Sequence, residues 1–137
     1  MRTIDTIRVG DSESFTKTVT ETDIIMYAGI SGDFNPAHIN AEAAKDSMFG
    51  QRIAHGMLSA GFISNVLGMK LPGPGTIYMG QELKFLKPVY IGDTVTATAT
   101  VTERIEEKNR LKLETVVTNQ KGETVITGFA TVMPPKA

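Results

Sequence analysis

The stretch Asp33-Phe34-Asn35-Pro36-Ala37-His38 places a carboxylate, an amide and an imidazole within six residues. Pro36 fixes its own φ and favours extended backbone at Asn35, so we expect a stiff loop. A carboxylate and an imidazole on one stiff loop can share a water molecule, with one group accepting a proton while the other donates one. Asp33 and His38 are therefore candidates for an acid–base pair. The plain alternative is an ordinary turn, because Asp and Asn side chains often bond their own backbone.

Gly56 is a second candidate for chemistry, because it stands at the start of a predicted apolar helix. The first N–H groups of a helix have no partners within the helix and lie at the positive end of its dipole. In a water-poor space such a donor suits a carbonyl oxygen that gains negative charge during a reaction. The plain alternative is that this glycine only permits close packing at the helix start.

A metal site has less support from the sequence. Asp33, His38 and His55 could supply three ligands, but no cysteine and no pair of histidines at helical spacing accompanies them. We therefore expect no metal and no other cofactor. The lack of cysteine also excludes disulfides and thiolate nucleophiles.

The composition predicts one ordinary globular domain. A chain of 137 residues is long enough for one core and too short for two. A net charge of −1 with 21% charged residues gives no reason to expect a nucleic acid or a membrane as partner. The first residues carry no apolar signal region, and the last ones no peroxisomal address. We expect a single domain over residues 1–137, located in the cytoplasm.

The segment from Ala54 to Gly68 is the element that must position these groups. It has no charged side chain after His55, and its apolar side chains point in every direction around a helix. A helix without a polar face is predicted to be buried. We expect it to begin at Gly56 and to end at Gly68 in a left-handed cap, because the following stretch Pro72-Gly73-Pro74-Gly75 forbids a longer helix. Its length also falls short of what a bilayer requires.

The part of the chain before this helix predicts one short strand and two helices. Thr20 and Asp23 resemble a capping box, which opens a helix that should stop near Gly29. Residues 31–36 are predicted to form a loop. Asn40 is the expected N-cap of the second helix, Ala41–Lys45.

Beyond Gly75 the apolar period changes from helical to two, which is typical of strands. Turn and hairpin signals divide this part into four strands; they are Pro88, Ile91-Gly92-Asp93, Glu106–Arg110 and Lys121-Gly122. The order is one strand, helices, then four strands. We predict an α+β fold in which an antiparallel sheet curls around the buried helix.

The chain resembles the MaoC-like (R)-specific enoyl-CoA hydratases, which have a hot-dog fold. Three segments carry the resemblance in family order: Tyr27 to His38 (YAGISGDFNPAH), Ile53 to Met57 (IAHGM) and Pro88 to Val95 (PVYIGDTV). The first segment is specific to the hydratase group, whereas the last recurs across hot-dog proteins. The resemblance covers nearly the whole chain.

The resemblance implies a hydro-lyase in which Asp33 and His38 hold the catalytic water. Water then adds across the trans double bond of a 2-enoyl-CoA, or leaves in the reverse direction. It also implies that the Gly56 N–H receives the thioester oxygen and that Asn35 supports the water or the aspartate. Ser64 corresponds to a position where relatives place a hydroxyl near the pair. We expect His55 to shape the turn and not to act as a second base.

The resemblance further implies an acyl-CoA substrate of short to medium chain length and a homodimer or higher homo-oligomer. Tyr27, Met48, Phe49 and Leu67, with Met26, are candidates for the acyl pocket. Two alternatives share the fold: an acyl-CoA thioesterase and an acyl-CoA-binding domain without activity. Thioesterases and acyl-carrier-protein dehydratases characteristically place an Asp or Glu on the central helix, and residues 56–68 contain none. That absence favours the hydratase.

Overall fold

The computed structural model describes residues 2–137 and consists of five strands and four helices, together with two short 3-10 turns. The strands are β1 (Ser12–Thr18), β2 (Ile77–Phe85), β3 (Thr94–Ile105), β4 (Arg110–Thr118) and β5 (Thr124–Met133). The helices are α1 (Glu21–Ser31), α2 (Pro36–Ile39), α3 (Ala41–Lys45) and α4 (Gly56–Met69). The 3-10 turns are Ile4–Thr6 and Glu106–Lys108. No helix within residues 2–137 is both long enough and apolar enough to cross a membrane.

The five strands form one antiparallel sheet in the order β1-β3-β4-β5-β2. Alternate side chains of the three central strands are buried against α4, which is what a period of two produces when one face of a sheet covers a core. Gly128 on β5 lets β2 approach closely, because a Cβ there would lie 1.8 Å from the Glu82 carbonyl oxygen. The predicted α+β fold, a sheet curled around one helix, is confirmed.

Helix α4 packs against the sheet through one side only. Ile63, Val66 and Leu67 are at most 1% exposed, whereas Met57 and Ser64 on the outer side are exposed. The prediction of a helix buried all round is therefore wrong for a single chain, because no element of this chain covers the outer stripe. The helix also continues through Gly68 to Met69 and ends without a left-handed cap.

Helix α1 begins at the predicted capping box, which is confirmed: the Thr20 hydroxyl accepts from the Asp23 N–H, and the Asp23 carboxylate accepts from the Thr20 N–H. The helix does not stop near Gly29. It runs to Ser31 and ends at Gly32, whose φ of +80° is the left-handed cap expected of a glycine. Gly29 is tolerated because it lies on the exposed side of the helix.

Candidate active site

A cavity of about 440 Å³ lies between the start of α4, the segment that follows α1 and the end of β2. Its wall is largely apolar and includes Asp33 and His38. The lining residues are Tyr27, Asp33, His38, Phe49, Ile53, Ala54, His55, Gly56, Met57, Ser59, Phe85, Leu86, Lys87, Pro88, Val89 and Ile126. The cavity thus brings together residues that are up to 99 positions apart in the sequence, from Tyr27 to Ile126.

Asp33 is held by a chain of local hydrogen bonds that begins in α1. The Ser31 hydroxyl donates to the Tyr27 carbonyl (2.7 Å) and accepts from the Asp33 N–H (3.1 Å). One carboxylate oxygen of Asp33 accepts from the Asn35 N–H at 3.1 Å, which is an Asx turn. The turn fixes the carboxylate and leaves its second oxygen free to accept a proton or to bind water.

Asn35 is the N-cap of α2. Its side-chain oxygen accepts from the Ala37 N–H at 3.0 Å, and Pro36 occupies the first helical position. That position suits proline, because its missing N–H would have no partner there. The stretch predicted to be loop is therefore loop only as far as Asn35, and His38 lies on a single helical turn.

His38 is fixed at both its ring and its backbone. Its Nδ1 lies 2.8 Å from the Ile53 carbonyl oxygen, which can only accept, so Nδ1 carries the proton. The neutral ring then has its lone pair on Nε2. Arg52 adds support from outside: its Nε donates to the His38 carbonyl (2.7 Å), and its guanidinium pairs with Glu21 (2.6 Å) at the start of α1.

His55 is almost completely buried, with 2% of its surface exposed. Its Nε2 lies 2.9 Å from the backbone oxygen of Asp33, and its ring stacks on that of His38 with centroids 3.9 Å apart and an interplanar angle of 28°. On the other side Tyr27 packs with a centroid distance of 4.7 Å. His55 therefore joins the α4 start to the acid–base segment, which is more than the turn-shaping role predicted for it.

One ligand atom each from Asp33, His38 and His55 fall within 4.8 Å of one another, a spacing that a metal ion could bridge. One nitrogen of each imidazole lies against a backbone carbonyl, an arrangement that both metal-bound and metal-free histidines show. A cofactor-free site stays our prediction.

Gly56 is the first residue of α4, and none of the backbone hydrogen bonds of residues 2–137 outside regular elements is donated by its N–H. The donor lies at the cavity wall. Phe85 closes against it, since a Cβ at this position would lie 2.7 Å from two ring carbons of Phe85. The lack of a side chain thus permits the aromatic wall and the helix start to meet.

The segment from Pro88 to Val95 has a structural role. The Ala54 N–H donates to the Val89 carbonyl at 2.7 Å, and Ile53 pairs with Tyr90 as an isolated bridge. One carboxylate oxygen of Asp93 accepts from the Tyr90 N–H (2.9 Å) and closes the turn. These bonds hold Ile53 and Ala54, which precede α4, in place. The segment from Pro88 to Val95 thus supports the site without contributing a reactive group.

Three predicted residues do not line the cavity. Ser64 is exposed on the outer stripe of α4, Met48 is 92% exposed, and Leu67 is buried in the core beneath the sheet. Their roles stay predictions, because spacing along a helix or loop does not say which side faces a cavity and the cavity described here is that of a single chain. Tyr27 and Phe49 do line it, whereas Met26 is 59% exposed and does not.

Sequence reasoning missed Ser59, Phe85 and Lys87 as cavity residues. Ser59 lies one turn beyond Gly56, a spacing that could have signalled it, but Phe85 and Lys87 belong to a distant strand end. Lys87 is the only basic residue among those lining the cavity, and its ammonium group pairs with Glu123. The cavity mouth therefore has one cation at its rim.

A sheet curled around one helix, with a carboxylate and an imidazole in one cavity with the first residue of that helix, defines a hot-dog protein with a candidate active site. The model of the MaoC like domain matches residues 8–125. The chain belongs to this family.

Curated relatives and solved structures agree with that assignment. The chain is 57% identical to an (R)-specific enoyl-CoA hydratase of Rhodospirillum rubrum over 94% of this chain and 89% of the relative. It is 42% identical to a 3-hydroxybutyryl-CoA dehydratase of Methylorubrum extorquens over 95% of this chain and 82% of the relative. An R-hydratase of Pseudomonas aeruginosa in its unliganded form superposes with a TM-score of 0.94 at 41% identity, covering 98% of this chain and 86% of that one.

Proposed function

We propose that the protein is an (R)-specific enoyl-CoA hydratase, which in the reverse direction dehydrates 3-hydroxyacyl-CoA. The single observation that carries the proposal is the meeting of Asp33, His38 and the free Gly56 N–H at one apolar cavity. Relatives that cover most of this chain are named for this activity at 42% and 57% identity. The roles given below to individual residues are part of the proposal.

The reaction needs two proton transfers and one place for negative charge. The free carboxylate oxygen of Asp33 and Nε2 of His38 hold the water molecule; one of these groups takes a proton from it as its oxygen bonds to Cβ. The electron pair of the double bond moves towards the thioester oxygen. The group that took the proton then donates it to Cα, so that one water molecule has been added and both groups are back in their first state.

Gly56 supplies the donor for the thioester oxygen. Gly56 lines the cavity, and an N–H fixed at the start of a 14-residue helix does not need to reorganise when charge develops. Asn35 supports this arrangement by capping α2, which carries His38. Because Asp33 and His38 act from one short segment, both parts of water should reach the same face of the double bond, a syn addition.

We further propose that the active form is a homodimer. Of the two edge strands, β1 is short and polar, whereas β2 exposes Ile77, Met79 and Phe85. An exposed apolar edge is a strand that proteins normally cover. A second copy lying along β2 and the outer stripe of α4 would cover it, and would bring the partner's surface towards the cavity that Phe85 and Gly56 share.

Two other functions, a thioesterase and a binding domain without activity, fit the cavity less well. A thioesterase of this fold characteristically needs an Asp or Glu on the central helix, and α4 has none. A binding domain without activity would have no need for the hydrogen bonds that fix Asp33 and His38. The chain length of the acyl group follows from the apolar wall that Tyr27 and Phe49 help to form, for which we propose short to medium chains.

Crotonyl-CoA is the substrate that separates these functions. We expect its enoyl absorbance to fall, a chiral dehydrogenase to detect (R)-3-hydroxybutyryl-CoA, and no free CoA thiol to appear. A thiol signal would mean a thioesterase, and tight binding without either change would mean a binding domain. The (S) product would contradict the pose proposed for the thioester. Parallel assays with the acyl-carrier-protein thioester would establish which carrier the protein accepts.

A further inference from the structure

Two polar atoms beside the acid–base pair are buried without a hydrogen-bond partner: Nδ1 of His55 and the hydroxyl oxygen of Ser59. The two residues are 2% and 1% exposed, and both contribute to the cavity wall. His55 is the N-cap of α4 and Ser59 lies in its first turns, so both side chains belong to the same end of the helix. A buried polar atom without a partner is costly, so two together require an explanation.

The contact between His55 and Asp33 determines where the ring carries its proton. The backbone oxygen of Asp33 can only accept, so Nε2 of His55, 2.9 Å away, is the donor. A second proton on this ring would leave an N–H at the buried Nδ1 with no acceptor, because this atom has no hydrogen-bond partner among the described residues. The neutral ring leaves Nδ1 as an acceptor that needs a donor.

Ser59 is the group that can supply that donor. A serine inside a helix usually bonds the carbonyl one turn back, but the Ser59 hydroxyl does not. In the present rotamer its oxygen makes no hydrogen bond, but a turn of the side chain about χ1 can bring a hydroxyl to a neighbouring acceptor. A rotamer that placed the Ser59 hydroxyl against Nδ1 of His55 would satisfy both partnerless atoms.

We propose that His55 is a positioning residue for the proton transfer, held as its neutral Nε2–H tautomer between the Asp33 carbonyl and the Ser59 hydroxyl. The inference rests on the proposed function, since positioning matters only if Asp33 and His38 react. The hydrogen bond fixes the backbone from which the Asp33 carboxylate projects. The face of the ring, stacked 3.9 Å from that of His38, fixes the plane in which His38 presents Nε2.

Nitrogen NMR of the whole protein tests the tautomer directly. His38 and His55 are the only histidines of the chain, so a sample labelled with ¹⁵N-histidine contains two rings, and His38→Gln assigns them. At pH 7 we expect the proton of His55 on Nε2 and that of His38 on Nδ1, two opposite tautomers. A His55 ring with its proton on Nδ1, or on both nitrogens, would overturn the proposal.

A pair of amide substitutions tests the positioning. A glutamine amide nitrogen can occupy the place of Nε2, whereas that of asparagine reaches only the place of Nδ1, so His55→Gln keeps the donor for Asp33 and His55→Asn does not. We expect kcat to stay within about fivefold for His55→Gln and to fall about fiftyfold for His55→Asn, since a shift of about 1 Å has effects of that order. KM for crotonyl-CoA should change little in either variant.

A packing role would give a different result. Both variants lose the stacked ring, so a residue that only fills space would lower kcat and Tm equally in both; that outcome would overturn the proposal. Ser59→Ala should broaden the His55 nitrogen signals through tautomer exchange, whereas Ser14→Ala, an exposed serine on β1, should leave them unchanged.

The two proposals can fail separately. If the unsubstituted protein failed to hydrate crotonyl-CoA, the proposed function would be refuted and the His55 tautomer would stand as measured. If His55→Asn does not fold, the NMR measurement on the unsubstituted chain still decides.

Discussion

The rings of His38 and His55 each form a hydrogen bond to the backbone of the segment that carries the other histidine. The His38 ring donates to the carbonyl of Ile53, two residues before His55, and the His55 ring donates to the carbonyl of Asp33, five residues before His38. The two rings also stack on each other. The exchange joins two segments that are distant in sequence, and each ring keeps one nitrogen for other use.

The acid–base pair gives the first prediction. Asp33→Asn and His38→Gln should each lower kcat by about 10²–10⁴, the usual contribution of one positioned proton-transfer group, with Tm nearly unchanged. Asp33 is exposed and His38 is only partly buried, so neither near-isosteric change disturbs the core. Steady-state hydration of crotonyl-CoA and thermal unfolding measure the two effects. Asp46→Asn, an exposed aspartate at the end of α3, is the matched control. A variant with native kcat would remove its residue from the mechanism.

The contact between Gly56 and Phe85 gives the second. In Gly56→Ala the new methyl group would lie 2.7 Å from the ring, so the ring or the helix start must move. Because a misplaced oxyanion donor typically costs about 10²–10³ in kcat, we expect a loss of that order. Phe85 is 52% exposed and can yield, so the free energy of unfolding should change by only about 1 kcal/mol.

Gly29→Ala is the control for that change. Gly29 also lies in a helix, but a Cβ there meets nothing within 4 Å. This substitution should retain activity and raise the free energy of unfolding by about 0.5–1 kcal/mol, because alanine is the better helix former. Equal activity of the two alanine variants would show that the position of the Gly56 N–H does not matter.

The apolar edge of the sheet gives the third. Light scattering at micromolar concentration should give the mass of at least two chains of 14.8 kDa each. Ile77→Lys, on the exposed part of β2, should shift the protein towards monomer, because a charge would have to be buried against the partner. Ser14→Lys places the same charge on the opposite edge and should leave the mass unchanged. A fully active monomer would refute the proposed dimer.

Metal removal gives the fourth. The proposed chemistry consists of proton transfers and a backbone donor, so exhaustive treatment with chelator should leave the rate of hydration intact. The experiment is needed because ligand atoms of Asp33, His38 and His55 lie within 4.8 Å of one another. A loss of activity that zinc restores would replace the proposed mechanism by a metal-assisted one.

Local signals predicted the elements well. The capping box of Thr20 and Asp23, the N-cap Asn40, helix α3 and the alternation of β3 and β4 all follow from interactions within a few residues, and each is confirmed. Burial along the edge strand β2 does not alternate, because its predicted inner residues Ile77, Met79 and Phe85 are exposed in the single chain. The family resemblance and the fold were also predicted and are confirmed. The cytoplasmic location and the single domain over residues 1–137 stay predictions.

Contacts between distant segments could not be predicted. Apolar periodicity indicates that α4 is packed, but it does not distinguish a face covered by this chain from one left for a partner. The exposed position of Ser64, outside the cavity, could therefore not be predicted. The serine of α4 that is buried at the cavity wall is Ser59, one turn beyond Gly56, and not Ser64. The hydrogen bond of His55 spans 22 positions, and nothing in the local sequence signals it.

Asp33, His38 and His55 each use one polar side-chain atom on the backbone: Asp33 on Asn35, His38 on Ile53 and His55 on Asp33. Their torsions are therefore already restricted before any substrate arrives, and the entropy of ordering them is lost during folding and not during turnover. Each catalytic cycle can then begin without a loop that must close. The barrier to the chemical step should accordingly be mainly enthalpic, with an Eyring plot that is straight until the protein begins to unfold.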